Sequence, residues 1–241
     1  MNVNDLKEQY AVCLVSCGEC SRGSGFFVEY QHEHFLVTDY HVVFNSASND
    51  FYNEEIVVTS TIQKDTLDSQ VVFLLKLEPN VIHANSDSDL IAIKLTSNNM
   101  HNQNGAGNIR IAQLSFLSIQ SENIEDRWGK PIYLYGYPSS LMPDAPFDMK
   151  PFFSSGVIST YDKDERKFVT NIPVYYGNSG CPVFYSDDAG VIHLIGIVQQ
   201  LIPFKLDWKN PYEMSFVRMD WHNSGYSICL DVNKIIELLT P

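Results

Sequence analysis

The chain has 241 residues, 44% of them hydrophobic, so it is long enough to bury one large core or two smaller ones. Its 29 acidic and 16 basic side chains give a formal net charge of −13. A surface this acidic repels phosphate groups, which argues against nucleic acid and anionic membranes as partners and fits a neutral or basic polypeptide better.

The N-terminal segment and the cysteine count bear on the cellular compartment. The first residues, MNVNDLKEQY, are polar and lack the apolar stretch of a secretion signal. No apolar run approaches the roughly 18 residues of a membrane-spanning helix. The five cysteines are an odd number, and without a secretion signal this favours reduced thiols. We therefore expect a cytoplasmic protein that does not bind membranes.

Three cysteines near the N-terminus, Cys13, Cys17 and Cys20, are spaced closely enough to raise the question of a metal site. No fourth ligand follows at a spacing typical of zinc, and Cys13 lies within the apolar run YAVCLV. A buried Cys13 with two loop thiols is the favoured interpretation, and zinc binding is the alternative. We predict no metal and no other cofactor.

Short apolar runs rich in Val, Ile, Phe and Tyr recur along the chain, separated by Gly, Asn, Asp, Ser or Pro. This pattern is typical of antiparallel strands in β-barrels or β-sandwiches. In chain order the runs are AVCLVS, GFFVEY, HFLVTDY, EIVVTST, QVVFLLKL, DLIAIKL, PIYLYGY, SGVIST, KFVTNI, CPVFYS, VIHLIGIVQQ and YSICLDV.

Helical periodicity is rare. A short helix is expected near NDLKEQY, and DVNKIIELL predicts a C-terminal helix that Asp231 caps. Four apolar side chains would form one face of that helix: Val232, Ile235, Ile236 and Leu239.

The apolar runs fall into two groups of about six. Residues 96–129 lie between the groups, begin with a polar stretch and are expected to connect two halves. We place the N-terminal half at residues 1–110 and the C-terminal half at 111–241. Two further long loops are expected at 138–150 and 203–224, the second with unusual aromatic and charged content.

The stretch YYGNSGCPVF, residues 175–184, sets one serine in a tight turn directly before a predicted strand. Gly177 and Gly180 flank Ser179 in this turn. Such turns are common in loops. A turn of this kind also exposes a hydroxyl beside bare backbone N–H groups, so Ser179 is a candidate nucleophile.

A serine nucleophile requires a base and a group that orients the base. Of the seven histidines, His41 stands out at the end of the run HFLVTDYHVVF. Asp89 opens the almost uncharged run DLIAIKL, where a half-buried carboxylate can accept from imidazole; Asp87 is the competing acid. Each residue alone is more often structural, but the order His, Asp, Ser in an all-β chain favours a triad.

Three blocks resemble the chymotrypsin-like serine peptidases, and most closely their HtrA/DegP-like branch. LVTDYHVV is similar to the T-N-x-H-V-V block, DSDLIAIKL to D-L-A-V-L-K, and GNSGCPVF to G-N-S-G-G-P-V. Weaker similarities extend the resemblance over nearly the whole chain, in GSGFFV, GKPIYLYGYP, SSGVIST, LIGIVQQ and GYSICLDVNKIIELL. The resemblance implies an all-β, trypsin-like fold of two antiparallel six-stranded β-barrels with a C-terminal helix.

The resemblance also implies a function. The first barrel would carry His41 and Asp89, the second Ser179, and the amides of Gly177 and Ser179 would form the oxyanion hole. The expected activity is that of a serine endopeptidase acting on protein or peptide substrates through an acyl-enzyme. A dedicated protease with few substrates and a regulatory protein partner is a further expectation. The alternative is a catalytically silent trypsin-fold module that binds proteins.

Two residues of the turn depart from the family pattern. Cys181 replaces the second Gly of G-N-S-G-G, which makes its thiol a rival nucleophile. Asn178 replaces the Asp that pairs with a newly released amino terminus in digestive relatives. Activation by that ion pair is therefore not expected.

The primary specificity pocket is expected from the segments NIPVYY and GIVQQL. Neither segment supplies a carboxylate, which disfavours cleavage after Lys or Arg and favours an apolar or uncharged side chain. The predicted substrate-binding residues are Pro173, Val174, Tyr176, Gln200 and Leu201.

Overall fold

The computed structural model describes residues 7–18, 21–45, 47–48, 50–64, 67–102, 110–141, 151–209 and 216–240. Within these residues the chain is mostly β. The strands are β1 (Val12–Cys17), β2 (Ser21–Tyr30), β3 (Glu33–Asp39), β4 (Glu55–Lys64), β5 (Leu67–Lys76), β6 (Ile82–Asn85), β7 (Leu90–Lys94), β8 (Met100–Asn102), β9 (Leu117–Ser118), β10 (Pro131–Gly136), β11 (Phe152–Asp162), β12 (Lys167–Thr170), β13 (Pro182–Ser186), β14 (Ile192–Lys209) and β15 (Phe216–Asp231). The α-helices are α1 (Tyr40–Val43) and α2 (Val232–Leu239).

The first nine strands form one curled sheet. Its order is β6-β7-β3-β2-β1-β4-β5-β8, and β9 adds to β2 in parallel. All other pairs in this sheet are antiparallel. For consecutive strands such as β2 and β3 the short connecting turn requires this arrangement.

The last six strands close into an antiparallel barrel, in the order β10-β11-β12-β15-β14-β13. Among the described strands of this half, closure leaves no free sheet edge apart from the part of β14 and β15 that extends beyond the barrel. The trypsin-like fold class is thus confirmed, with one closed six-stranded barrel and one curled half-barrel.

The N-terminal half differs in detail from a six-stranded barrel. It has nine strands, and its end strands β6 and β8 do not pair with each other in the described part of the chain. The additional strands β6, β8 and β9 have two to four residues and no clear apolar alternation, so their pairing depends on tertiary neighbours rather than on a local pattern.

The segment 203–224, expected to be a loop, is largely strand. Its described residues continue β14 and β15 as a two-stranded ribbon, with pairs from Pro203↔Asn223 to Lys209↔Phe216. The two prolines and the charges of this segment indicate a loop, but cross-strand pairing overrides them. Trp221 on the ribbon is 64% exposed, so it does not cap the barrel.

The buried apolar side chains form three groups, one in each half and one between the halves. One fills the curled sheet around Phe27 and Phe73, and another fills the barrel around Phe168. The third lies between the halves and brings Phe26 of the first sheet together with Tyr137 of the second half and with α2. Fully burying a large apolar side chain stabilises a fold by about 1.5–3 kcal/mol, so this third group fixes the cleft between the halves.

The C-terminal helix confirms its prediction. The Asp231 carboxylate accepts from the backbone N–H of Asn233 at 2.8 Å, which caps α2. Val232, Ile235 and Leu239 are buried on one face. No helix in the described ranges is long and apolar enough to cross a membrane. The division of the chain at residues 110 and 111 and the cytoplasmic location stay predictions.

Candidate active site

His41 and Asp89 are joined by two hydrogen bonds. The chain leaves β3 and turns into the four-residue helix α1, which presents His41 at the cleft. Nδ1 of His41 lies 2.7 Å from Oδ2 of Asp89, and the backbone N–H of His41 donates to Oδ1 at 2.9 Å. One carboxylate oxygen therefore orients the imidazole and the other holds the backbone of His41, and Nε2 of the ring is left for other partners.

Asp89 is held in an unusual backbone conformation. Its φ is +49°, in the left-handed region, which costs about 1–2 kcal/mol for a residue with a side chain. The backbone N–H of Tyr40 donates to the Asp89 carbonyl at 3.1 Å, so α1 and the turn before β7 hold each other. Asp87 is exposed on the same turn, and its carboxylate forms no hydrogen bond with His41.

The turn around Ser179 leaves two backbone donors free. In the described structure the N–H groups of Gly177 and Ser179 donate to no protein acceptor. Gly177 has φ +98°, and a Cβ there would lie 2.3 Å from the carbonyl oxygen of Tyr137. Only glycine fits this position, which explains how the turn can direct a free N–H beside the hydroxyl.

A buried serine from the first sheet anchors this turn. Ser24 on β2 donates through Oγ to the carbonyl of Gly177 at 2.7 Å and accepts from the N–H of Tyr137 at 2.8 Å. Its own N–H donates to the carbonyl of Ser179 at 2.7 Å. The turn is thus held from the opposite half of the molecule, a role that no sequence pattern revealed.

The hydroxyl of Ser179 donates to the carbonyl oxygen of Gln199 at 3.2 Å and forms no hydrogen bond with His41. Gln199, on β14, also donates through Nε2 to the carbonyl of Ser88 at 2.5 Å. Because Ser88 precedes Asp89, one glutamine connects the Ser179 turn with the Asp89 turn across the cleft.

Cys181 fits behind the turn because the strand opposite carries a glycine. A Cβ on Gly136 would lie 1.8 Å from the Cys181 sulfur, so the missing side chain makes room for the thiol. Burial raises the pKa of Cys181 to about 12, which makes it a poor nucleophile at neutral pH. Asn178 is buried, and its Oδ1 accepts from the N–H of Tyr175 at 2.9 Å, so its partner lies within the turn.

One cleft of about 430 Å³ contains the three candidate catalytic residues. His41, Asp89 and Ser179 line it together, as does Gly177. Of the predicted pocket residues, the cleft is lined by Val174, Tyr176, Gln200 and Leu201. Pro173 is exposed and is not among the lining residues.

Five further residues line the cleft: Ser21, Arg22, Tyr175, Val198 and Gln199. Three of them, Tyr175, Val198 and Gln199, lie within the segments NIPVYY and GIVQQL that were expected to form the pocket, although they are not among the residues singled out there. The sequence does not predict Ser21 and Arg22. Arg22 stands just before the glycine-rich GSGFFV segment, and its position next to the early strand was the one available signal.

The structure shows which potential metal ligands lie close to one another. In the described ranges one group of three potential ligands occurs, with atoms of Asp39, His41 and Asp89 within 4.8 Å of one another. The imidazole in this group is already bonded to Asp89, and we assign no metal to it. Cys13 and Cys17 are buried and belong to no such group, and Cys20 lies outside the described residues.

Comparisons with solved structures find proteins of similar fold. Deg5 is 18% identical with a TM-score of 0.59, and the match covers 96% of this chain and 88% of Deg5. The thermostable serine protease AL20 from an extremophilic microorganism is 12% identical with a TM-score of 0.57, and the match covers 95% of each chain. The HtrA-type protease AlgW is 16% identical with a TM-score of 0.51, and the match covers 96% of this chain and 59% of AlgW.

At these identities the structural likeness concerns the fold, and it places HtrA and Deg proteases among the neighbours. No curated protein sequence matches the chain significantly. The trypsin-like peptidase domain, however, matches residues 23–197, which include the His41, Asp89 and Ser179 segments. The chain therefore belongs to the trypsin-like peptidase family.

Proposed function

We propose that the chain is a serine endopeptidase that hydrolyses peptide bonds in protein substrates. Ser179 is the nucleophile, His41 the general base and acid, and Asp89 the residue that orients His41. The observation that carries the proposal is the 2.7 Å contact between His41 Nδ1 and Asp89 Oδ2, in the same cleft as a serine flanked by free amides.

The proposed reaction begins with a rotation of the Ser179 hydroxyl away from the Gln199 carbonyl. His41 Nε2 takes the hydroxyl proton as Oγ attacks the substrate carbonyl carbon. The same proton then passes to the leaving amine, which departs as the acyl-enzyme forms. Water, deprotonated by His41, hydrolyses the ester and restores the serine.

The amides of Gly177 and Ser179 would stabilise the oxyanion. Neither N–H group has an acceptor among the described residues, so an oxygen that acquires negative charge does not have to displace one of these. The loss of one such donor costs about 3–4 kcal/mol of transition-state stabilisation in related chemistry.

The side chains of the cleft favour an uncharged residue before the scissile bond. Asp89 is the one acidic side chain among its described lining residues, and it is engaged by His41. Val174 and Leu201 supply apolar surface, and Tyr176 is 77% exposed beside the turn. We therefore propose that cleavage after Lys or Arg is disfavoured.

A silent binding module is the second candidate function. The bond from Ser179 to Gln199, in place of one to His41, favours it. Incubation with a pooled peptide library separates the two. Cleavage by the wild type and by Cys181→Ala, but not by Ser179→Ala, supports the peptidase. No cleavage by any of the three, together with unchanged folding, supports the binding module.

A further inference from the structure

Asp39 is an unusual carboxyl group directly behind the candidate triad. It is 0% exposed, and neither of its side-chain oxygens has a hydrogen-bond partner in the described part of the chain. A buried charge without a partner is very costly, so such a group needs either a proton or a compensating cation. The environment of Asp39 therefore decides its charge.

The Asp39 side chain does not cap the helix that it precedes. Asp39 is the N-cap residue of α1, where an Asp side chain ordinarily accepts from the first turn. Here the side chain makes no capping bond. It points instead into the region between the halves, and its backbone pairs with Leu90 next to Asp89.

The described residues around Asp39 supply no positive charge that would neutralise its carboxylate. Asp89 faces it from the turn before β7, and the thiols of Cys181 and Cys229 face it from the barrel. An atom of His41 lies within 4.8 Å of the carboxyl group, but His41 is bonded to Asp89, and no cation of the described residues is among the groups that shift the pKa of Asp39. Burial, and then the charge of Asp89, raise the pKa of Asp39 well above its usual range, and the nearby Gly180 amide offsets only part of this rise.

A neutral carboxyl group has one O–H donor, and Asp89 is the acceptor that lies close to it. Oxygens of Asp39 and Asp89 lie within 4.8 Å of each other, and the terminal torsion of an Asp side chain is soft. Two carboxyl groups this close share a proton more readily than both ionise. The Asp89 carboxylate accepts only from His41 among the described residues, so it retains room for another donor.

We propose that Asp39 is a positioning residue for the His41–Asp89 pair: it keeps its proton at neutral pH and donates it in a hydrogen bond to the Asp89 carboxylate. This bond restrains the carboxylate that orients His41 and keeps the charge of the acidic pair at −1. The role rests on the proposed peptidase function, whereas the protonation of Asp39 does not.

Two substitutions of similar size test the proposal. Asp39→Asn keeps a hydrogen-bond donor and cannot ionise, and Asp39→Leu removes the donor. We expect kcat for a cleaved peptide to stay within about threefold of wild type in the Asn variant and to fall at least about tenfold in the Leu variant, with KM unchanged in both. Thermal unfolding of each variant reports whether it folds.

Two spectroscopic measurements do not require activity. The infrared difference between wild type and Asp39→Asn at neutral pH should contain the carbonyl band of one protonated carboxylic acid. The low-field proton resonance of His41 Nδ1–H bonded to Asp89 should persist in the Asn variant and weaken or shift in the Leu variant.

An absent acid band overturns the proposal, as does a Leu variant that matches the Asn variant in both kcat and the His41 resonance. If the Leu variant fails to fold, a tenfold or greater loss of kcat in the folded Asn variant overturns it, since that variant retains the donor. If the wild type cleaves no peptide while the acid band and the resonance behave as expected, the peptidase function fails and the Asp39–Asp89 hydrogen bond stands.

Discussion

The hydroxyl of Ser24 donates to the carbonyl of Gly177 at 2.7 Å, which ties the curled first sheet to the turn that carries the candidate nucleophile. The Ser24 hydroxyl oxygen also accepts from the backbone N–H of Tyr137. The free amides of the turn are therefore held in place from the other side of the cleft. This relationship leads to the first prediction.

Ser24→Ala should lower both stability and activity. It leaves two buried backbone groups without partners, at a cost of about 1–3 kcal/mol each. Displacement of the turn should lower kcat/KM at least about tenfold, since small misplacements near reacting atoms have large effects. Ser60→Ala is the matched control, because Ser60 is a buried serine of β4 that donates to Val12 away from the cleft. Equal kcat/KM in the two variants would show that Ser24 does not organise the turn.

Gly180→Ala should inactivate the protein. A Cβ there would lie 2.0 Å from the carbonyl oxygen of Ser24 and 2.6 Å from Oγ1 of Thr38, with φ +86°. We expect kcat/KM to fall at least about 100-fold. Gly190→Ala carries similar strain at φ +81° but meets no atom within 4 Å, so it should cost only about 1–2 kcal/mol and leave kinetics unchanged. Normal kinetics of Gly180→Ala would contradict the close packing of the turn.

Asp89→Asn should affect turnover far more than Asp87→Asn. The amide cannot hold the imidazole in the required tautomer, and in serine triads this change lowers kcat by about 10⁴-fold. Asp87 is exposed two residues earlier and does not contact His41, so its variant should resemble wild type. Steady-state kinetics on one peptide compares the two. A large loss in Asp87→Asn with none in Asp89→Asn would reassign the acid.

The raised pKa of Asp39 predicts a pH-dependent stability difference. The native state keeps the Asp39 proton above the ordinary value of 3.8, whereas the unfolded state releases it. Stability from this group is therefore complete below 3.8 and declines as pH rises towards the native pKa. Asn cannot ionise, so the Asp39→Asn variant does not lose this stability as the pH rises. The free energy of unfolding of the variant minus that of the wild type should therefore increase by about 1.4 kcal/mol for each pH unit between 3.8 and the native pKa of Asp39. Denaturant titrations between pH 4 and 7 measure the slope, and a flat difference would show that Asp39 is ionised in the native state.

The strand-rich fold could be predicted from the sequence because each long strand carries its own apolar run. The short strands β6, β8 and β9 could not, since they have little apolar content and depend on neighbours that are distant in the chain. The ribbon of β14 and β15 differs from the predicted loop for the opposite reason: its local composition favours turns, and pairing between its strands overrides that preference.

Much of the candidate site could also be selected in advance, because His41, Asp89 and Ser179 each stand in a block with a recognisable pattern. Their catalytic roles stay predictions. Ser24 and Asp39 could not be selected for the roles argued above. A serine within a strand and an aspartate before a helix carry no special local signal, and only the three-dimensional neighbours show one anchoring a turn and the other buried without a partner.

The measurement that tests the central claim most directly is intact-mass analysis after reaction with a fluorophosphonate, which phosphonylates an activated serine. We predict addition of one group to the wild type, mapped to Ser179, strongly reduced addition in His41→Ala, and none in Ser179→Ala. Undiminished labelling of Ser179→Ala, or a wild type that stays unlabelled, would contradict a nucleophilic Ser179 activated by His41.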